Sequence, residues 1–91
     1  MVFEWDEEKN KTNLKKHGID FETAAFVFCD NDRLEYYDEE HSTLEDRFIT
    51  IGEIKEVLIV LVVVYTERKE AIRIISARKA NNRERREYYG R

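Results

Sequence analysis

The 91-residue sequence has no proline, one cysteine and three glycines, and each shortage removes a class of structure. Cys29 stands alone, so there is no internal disulfide. Gly18, Gly52 and Gly90 are far apart, which leaves no glycine-rich phosphate loop and no G-x-S-x-G elbow. His17, Cys29 and His41 are isolated from one another at ligand spacings, so no metal or other cofactor is expected. No apolar run reaches the about 20 residues that span a membrane, and no basic-then-apolar leader opens the chain, so the expected address is the cytoplasm. Without proline, repeats or a linker, the chain reads as a single domain over residues 1–91, able to bury roughly 60 to 65% of its unfolded surface.

What is abundant is charge, and it is unevenly placed. Met1 to Glu67 carries 7 basic and 17 acidic residues, net −10, whereas Arg68 to Arg91 carries 9 basic and 3 acidic, net +6, inside a formal total of −4. A basic end on an acidic protein suits an anionic partner, because phosphate contacts are local and distant charge is screened beyond about 10 Å. The plainer reading is a solvated carboxyl-terminal helix laced with Arg–Glu pairs.

The pattern organises around Val57 to Tyr65, VLIVLVVVY, an uncharged and mostly β-branched run that reads as a strand buried on both faces. Ala71 to Ala80 continues in the same style with Arg73, Ser76 and Arg78 admitted, and Thr66 to Glu70 suits the hairpin loop between the two. Upstream, Val2 to Trp5 reads as a short edge strand. Asp6 caps a helix that runs to His17 and closes on Gly18, with Asn10, Asn13 or Leu14, and His17 on its inward stripe. One Leu is little to bury, so those polar residues are expected to have specific partners. Asp20 caps a second helix with Phe21, Ala24, Ala25 and Phe28 on its apolar face, and Cys29 at the end of that face reads as a small hydrophobe. Leu34 to Tyr37 and Arg47 to Gly52 read as strands about a charged loop, Asp38 to Asp46, with Gly52 marking a strand end or bulge. Glu53 to Glu56 is the turn into the central strand. Asn81 caps a closing helix over Arg83 to Tyr89. The expected fold class is α+β: two amino-terminal helices, a twisted antiparallel four-stranded meander and a carboxyl-terminal helix.

Lys16, His17, Tyr65, Arg68, Arg73, Arg78, Lys79, Arg83 and Arg85 make up a kit for handling a phosphodiester without a metal. Arginines bind and neutralise phosphorane charge, and a histidine or tyrosine moves protons. On a regular strand Arg73 and Arg78, five apart, point to opposite faces, which would leave one of them structural.

Phe3-Glu4-Trp5-Asp6, Asn13-Leu14, Lys16-His17-Gly18, Glu45-Asp46-Arg47-Phe48, Ile74-Ile75-Ser76-Ala77-Arg78 and Glu84-Arg85 with Tyr88, in that order over nearly the whole chain, resemble the BrnT toxins. The pattern departs from the family at Gly52 to Glu56, where many relatives carry a second glycine. The resemblance implies a RelE-like fold, metal-independent endoribonuclease activity that arrests translation, and a BrnA-type antitoxin partner with a ribbon-helix-helix DNA-binding domain, in a hetero-oligomer. With the residue kit above, the expectation is that Arg78 holds the scissile phosphate, that His17 or Tyr65 assists proton transfer, and that Lys16, Arg68, Arg73, Lys79, Arg83 and Arg85 contact RNA. The competing expectation is a non-catalytic basic module that docks RNA or an acidic protein.

Overall fold

From its amino terminus the chain forms strand β1 (Val2–Glu4), helix α1 (Glu7–His17) and a short helix α2 (Phe21–Ala25) that tightens into a 3-10 turn (Phe26–Cys29). Strands β2 (Leu34–Tyr37), β3 (Phe48–Ile54), β4 (Ile59–Arg68) and β5 (Ala71–Lys79) follow, and helix α3 (Asn82–Tyr89) closes the fold. This computed structural model describes residues 1–90; Arg91, counted above in the basic end, lies outside them.

The sheet has five strands in the order β1-β5-β4-β3-β2, and β1 runs parallel to β5 while every other pair is antiparallel. The four-stranded, purely antiparallel meander is therefore corrected to a mixed sheet. The short edge strand read at Val2 to Trp5 is present as β1, and joining the sheet it adds the fifth, parallel strand. Its place is decided by Phe3, which packs on Phe28 at 5.3 Å between ring centroids.

β4 is central and buried on both faces, as its sequence demands. Leu61, Val63 and Tyr65 enter a core beneath α1 and α2 with Ile19, Phe21, Ala24, Val27, Phe28, Ile74 and Ala77. Val60 and Val62 enter a smaller core beneath α3 with Ile51, Ala80 and Tyr88. Its limits differ from the apolar run. Val57 and Leu58 lie exposed in the β3–β4 turn, where Leu58 adopts a left-handed φ of 55° that side-chain-bearing residues seldom take. At the other end Thr66, Glu67 and Arg68 belong to the strand, and the turn is only Lys69-Glu70, with Lys69 at φ 50°. Polar residues there signal the end of helical cover rather than the end of pairing.

Gly52 ends nothing. It lies inside β3, where an added Cβ would sit 2.6 Å from Val27 Cγ1 and 3.1 Å from Arg33 Cβ, so its bareness lets the 3-10 turn rest on the sheet. That turn also corrects the second helix. The expected Phe21, Ala24 and Phe28 are buried and Ala25 packs partly buried beside them, but the three-residue turn also brings Val27 inward, and Phe26 and Cys29 face solvent. Cys29 is thus an exposed thiol rather than a core hydrophobe.

Helix α1 follows its caps: the Asp6 side chain accepts from Glu8 and Lys9 N–H, and Gly18 is left-handed at φ 74°. Asn13, not Leu14, is its buried residue, and its polar stripe has partners. Asn13 Nδ2 donates to the carbonyls of Ile19 and Ala77, both at 2.8 Å, and Asn10 Oδ1 accepts from Phe21 N–H at 2.8 Å. His17, expected on that stripe, is exposed.

Candidate nucleic-acid interface

α1, α2 and the 3-10 turn pack on one face of the sheet, and the single helix α3 packs on part of the other. The open part is floored by β4 and β5, and an irregularity decides what it displays. Val64 pairs with Ser76 and Tyr65 with Ile74, which leaves Ile75 as an extra residue in β5. The bulge inverts the side-chain alternation beyond it. Arg73 opposite Thr66, Ser76 opposite Val64 and Arg78 opposite Val62 consequently share one face. The expectation that Arg73 and Arg78 oppose each other across the sheet is corrected by that one inserted residue.

Three arginines bordering this face are met by carboxylates. Arg73 Nη1 donates to Glu4 Oε2 at 3.0 Å and Arg68 Nη2 to Glu45 Oε1 at 3.1 Å. Arg78 makes a two-pronged contact with Glu84, Nη1 to Oε1 and Nη2 to Oε2, both at 2.8 Å. Glu84 is itself anchored by a capping box: it accepts from Asn81 N–H while Asn81 Oδ1 accepts from Glu84 N–H. The hydrogen-bonded Arg78 fork holds the Glu84 carboxyl below its usual range, and Glu84 in return raises the Arg78 guanidinium.

A guanidinium has five N–H donors. Two go to Glu84, and a third reaches the Lys79 carbonyl at 3.3 Å. Nε–H and the second Nη2–H, the side edge of the fork, take no partner among the described residues. Arg78 is therefore held by one edge with the other free.

The remaining sequence candidates distribute unevenly. Arg83 is exposed on α3 and lines a cleft of about 330 Å³ with Tyr36, Ile49, Ile51 and Glu84, beside the Arg78 pair. Lys16 and His17 line an open groove of about 360 Å³ along α1, and Ile75 and Ser76 form its β5 side, so the groove and the arginine face meet at Ser76. Lys79 and Arg85 lie elsewhere, in a cleft with Leu58 and Ile59 near the β3–β4 turn, and Arg85 donates to the Ala80 carbonyl at 3.1 Å. Tyr65 is on the other side of the sheet from Arg78. It is 3% exposed, packed between Phe28 and Phe48, and its hydroxyl donates to Glu35 Oε1 at 2.9 Å. Burial first and the Glu35 contact second push its phenol far above the ordinary tyrosine value.

Several residues at this face escaped the sequence reading. Ser76 sits between the two arginines only because of the bulge, and Glu4 is an ordinary surface acid until the fold pairs it with Arg73. Arg47 carried a usable signal: it stands one residue before Phe48, which begins β3 and stacks on Tyr65, so the alternation carried back one residue assigns Arg47 to the opposite face. Among the described residues, no three His, Cys, Asp or Glu side chains gather in a way that could hold a metal ion. None of the described helices is long and apolar enough to cross a membrane.

The fold and this face define a small α+β protein that presents arginines from its sheet, three of them, Arg68, Arg73 and Arg78, oriented by carboxylates. A family model described as the ribonuclease toxin, BrnT, of a type II toxin–antitoxin system matches residues 5–84. The chain belongs to that family, and membership implies an RNA substrate and an antitoxin partner. A comparison with curated proteins gives no match.

Proposed function

We propose that the protein is a metal-independent endoribonuclease that acts in the cytoplasm, arrests translation and is neutralised by a BrnA-type antitoxin with a ribbon-helix-helix domain. The observation that carries this reading is the free side edge of Arg78, aimed from a rigid strand onto the same face as Arg73 and Ser76. A planar fork matches two oxygens of a phosphate, and its contacts strengthen as the phosphorane gains charge. In the reaction the 2′-hydroxyl attacks phosphorus, its proton passes to a base, and the P–O5′ bond breaks with a proton delivered to the leaving oxygen. The products are a 2′,3′-cyclic phosphate and a 5′-hydroxyl. His17, on the groove that Ser76 shares, is the proton carrier of this reading. Tyr65, buried and committed to Glu35, is given the structural role. Arg68, Arg73, Arg83 and Lys16 contact backbone phosphates around the face, with Lys79 and Arg85 on the outlying cleft. Helices packed over a twisted sheet are in keeping with a RelE-like fold.

The test is RNA cleavage in excess EDTA by the wild-type protein and by Arg78→Ala and Arg78→Lys. Cleavage is expected to survive chelation, and recovery only on adding a divalent ion would overturn the mechanism. Arg78→Ala is expected to slow cleavage about 10² to 10³-fold, and Arg78→Lys is expected to rescue little because it keeps the charge and loses the fork. An Arg78→Ala protein that melts much lower yet cleaves normally when folded would mark the arginine as structural. Salt-sensitive RNA binding with no cleavage by the wild type would favour the inert binding module.

A further inference from the structure

We propose that Arg47, Thr66 and Arg73 form a second phosphate subsite, which seats a backbone phosphate of single-stranded RNA distinct from the scissile one at Arg78. The proposal rests on the reading that RNA occupies the open sheet face, and it starts from an anomaly in β4. Thr66 is 1% exposed and its hydroxyl has no hydrogen-bond partner among the described residues. A buried hydroxyl without a partner has given up its hydration for nothing in return. Valine has nearly the same shape and fits a strand equally well, and Val62, Val63 and Val64 stand just before it in the same strand. The free protein therefore has no structural use for this oxygen.

Its surroundings supply one. Thr66 pairs across the sheet with Arg73, and continuing the β3–β4 register one residue past Phe48–Tyr65 sets Arg47 opposite it on the other side. Directly opposed side chains of a sheet have Cβ atoms about 4.5 to 5.5 Å apart, so the hydroxyl lies between two guanidinium-bearing side chains on one face. A neutral donor flanked by two permanent cations matches a phosphate diester, whose two free oxygens accept from all three. Arg73 is held in the free protein by Glu4, with side chains 29% and 39% exposed. An ion pair that open to water is weak and exchangeable, so an arriving phosphate can draw Arg73 from Glu4 and uncover the hydroxyl. Thr66 lies four residues along β4 from Val62, the partner of Arg78, a separation of about 13 Å. At that spacing the two places suit different phosphates of one strand. The subsite takes another phosphate of the same strand and fixes the direction in which RNA crosses the face.

The test uses a short 2′-O-methyl oligoribonucleotide, which lacks the attacking hydroxyl, with affinity measured by titration and stability by thermal melting. Thr66→Val is expected to melt about 4 to 8 °C higher than the wild type, because the unpaired hydroxyl is gone, yet to bind the probe about tenfold more weakly. Thr66→Ser is expected to keep wild-type affinity. Arg47→Gln is expected to weaken binding and to lower the log–log salt slope by about 0.7, as for one lost phosphate contact. Undiminished affinity of Thr66→Val overturns the subsite, and so does a melting temperature no higher than the wild type, which would mean that the hydroxyl already has a partner. Affinity for this probe is read whether or not the protein cuts RNA. Failure of the ribonuclease reading would appear separately, as intact unmodified RNA after incubation with the wild type.

Discussion

Asp30 shows how one residue ties three elements together. It ends the 3-10 turn, its carboxylate accepts from Glu53 N–H in β3 and Asp32 N–H in the loop at 2.8 and 2.9 Å, and it accepts from the Tyr88 hydroxyl in α3. Burial alone raises its carboxyl, but the hydrogen bonds from Tyr88, Glu53 and Asp32, with Lys55 nearby, prevail and hold it below the usual carboxylate range. A folded-state value below the unfolded one of about 3.9 means that the stabilisation is present at neutral pH and is lost as pH falls through the folded value. Asp30→Asn is expected to cost about 2 to 3 kcal/mol at pH 7, since it removes a charged acceptor from buried donors. In thermal melts between pH 7 and pH 2 the gap between variant and wild type should narrow as the medium becomes acidic. A gap that stays constant would show that shape, not charge, holds α3 to the sheet.

At the scale of elements, the amino-terminal helix is tied to the sheet through an amide. β1 pairs with β5 only as far as Arg73, so the outer edge of β5 beyond it lacks a strand. Asn13 fills the gap: its Nδ2 donates to the Ala77 carbonyl at 2.8 Å, and Ala77 N–H donates back to its Oδ1 at 3.2 Å. The carboxamide thus acts as one peptide unit of a missing strand, and the same Nδ2 donates to the Ile19 carbonyl beyond the helix. Asn13→Leu is expected to lower stability by about 2 to 4 kcal/mol in urea unfolding, despite the added apolar surface, because the Ala77 and Ile19 groups are left unpaired. A neutral or stabilising result would mean that packing of the helix, rather than this amide, holds α1 in place. The need for partners on a helix with one leucine was legible in the sequence; which strand would provide them was not.

Over the whole molecule, the basic end of the chain is spread over β5 and α3, and the acidic loop reaches it through the Glu45–Arg68 pair. Arg73 and Arg78 come from β5 and Arg83, Arg85 and Arg86 from α3, while the acidic loop Asp38 to Asp46 joins β2 and β3. The protein measures 33 × 27 × 24 Å, more than two screening lengths at physiological salt, so its net −4 does not cancel a local basic surface. RNA affinity is expected to fall steeply with salt, and replacing Arg83, Arg85 and Arg86 together by Gln should flatten the log–log slope by up to about 2, at about 0.7 per lost contact. An unchanged slope would place the binding surface away from α3. What this sequence determined by itself is everything carried by near neighbours: the caps at Asp6, Gly18, Asp20 and Asn81, the apolar run of β4, and the basic end. Those signals are local, because a cap or an alternation involves residues a few positions apart. Tertiary structure alone decided the parallel seat of β1, the burial of Tyr65 away from Arg78, and the bulge at Ile75. Which face a side chain meets depends on how distant strands pair, and a single unpaired residue in β5 reverses that choice for Arg78 and brings the arginines together.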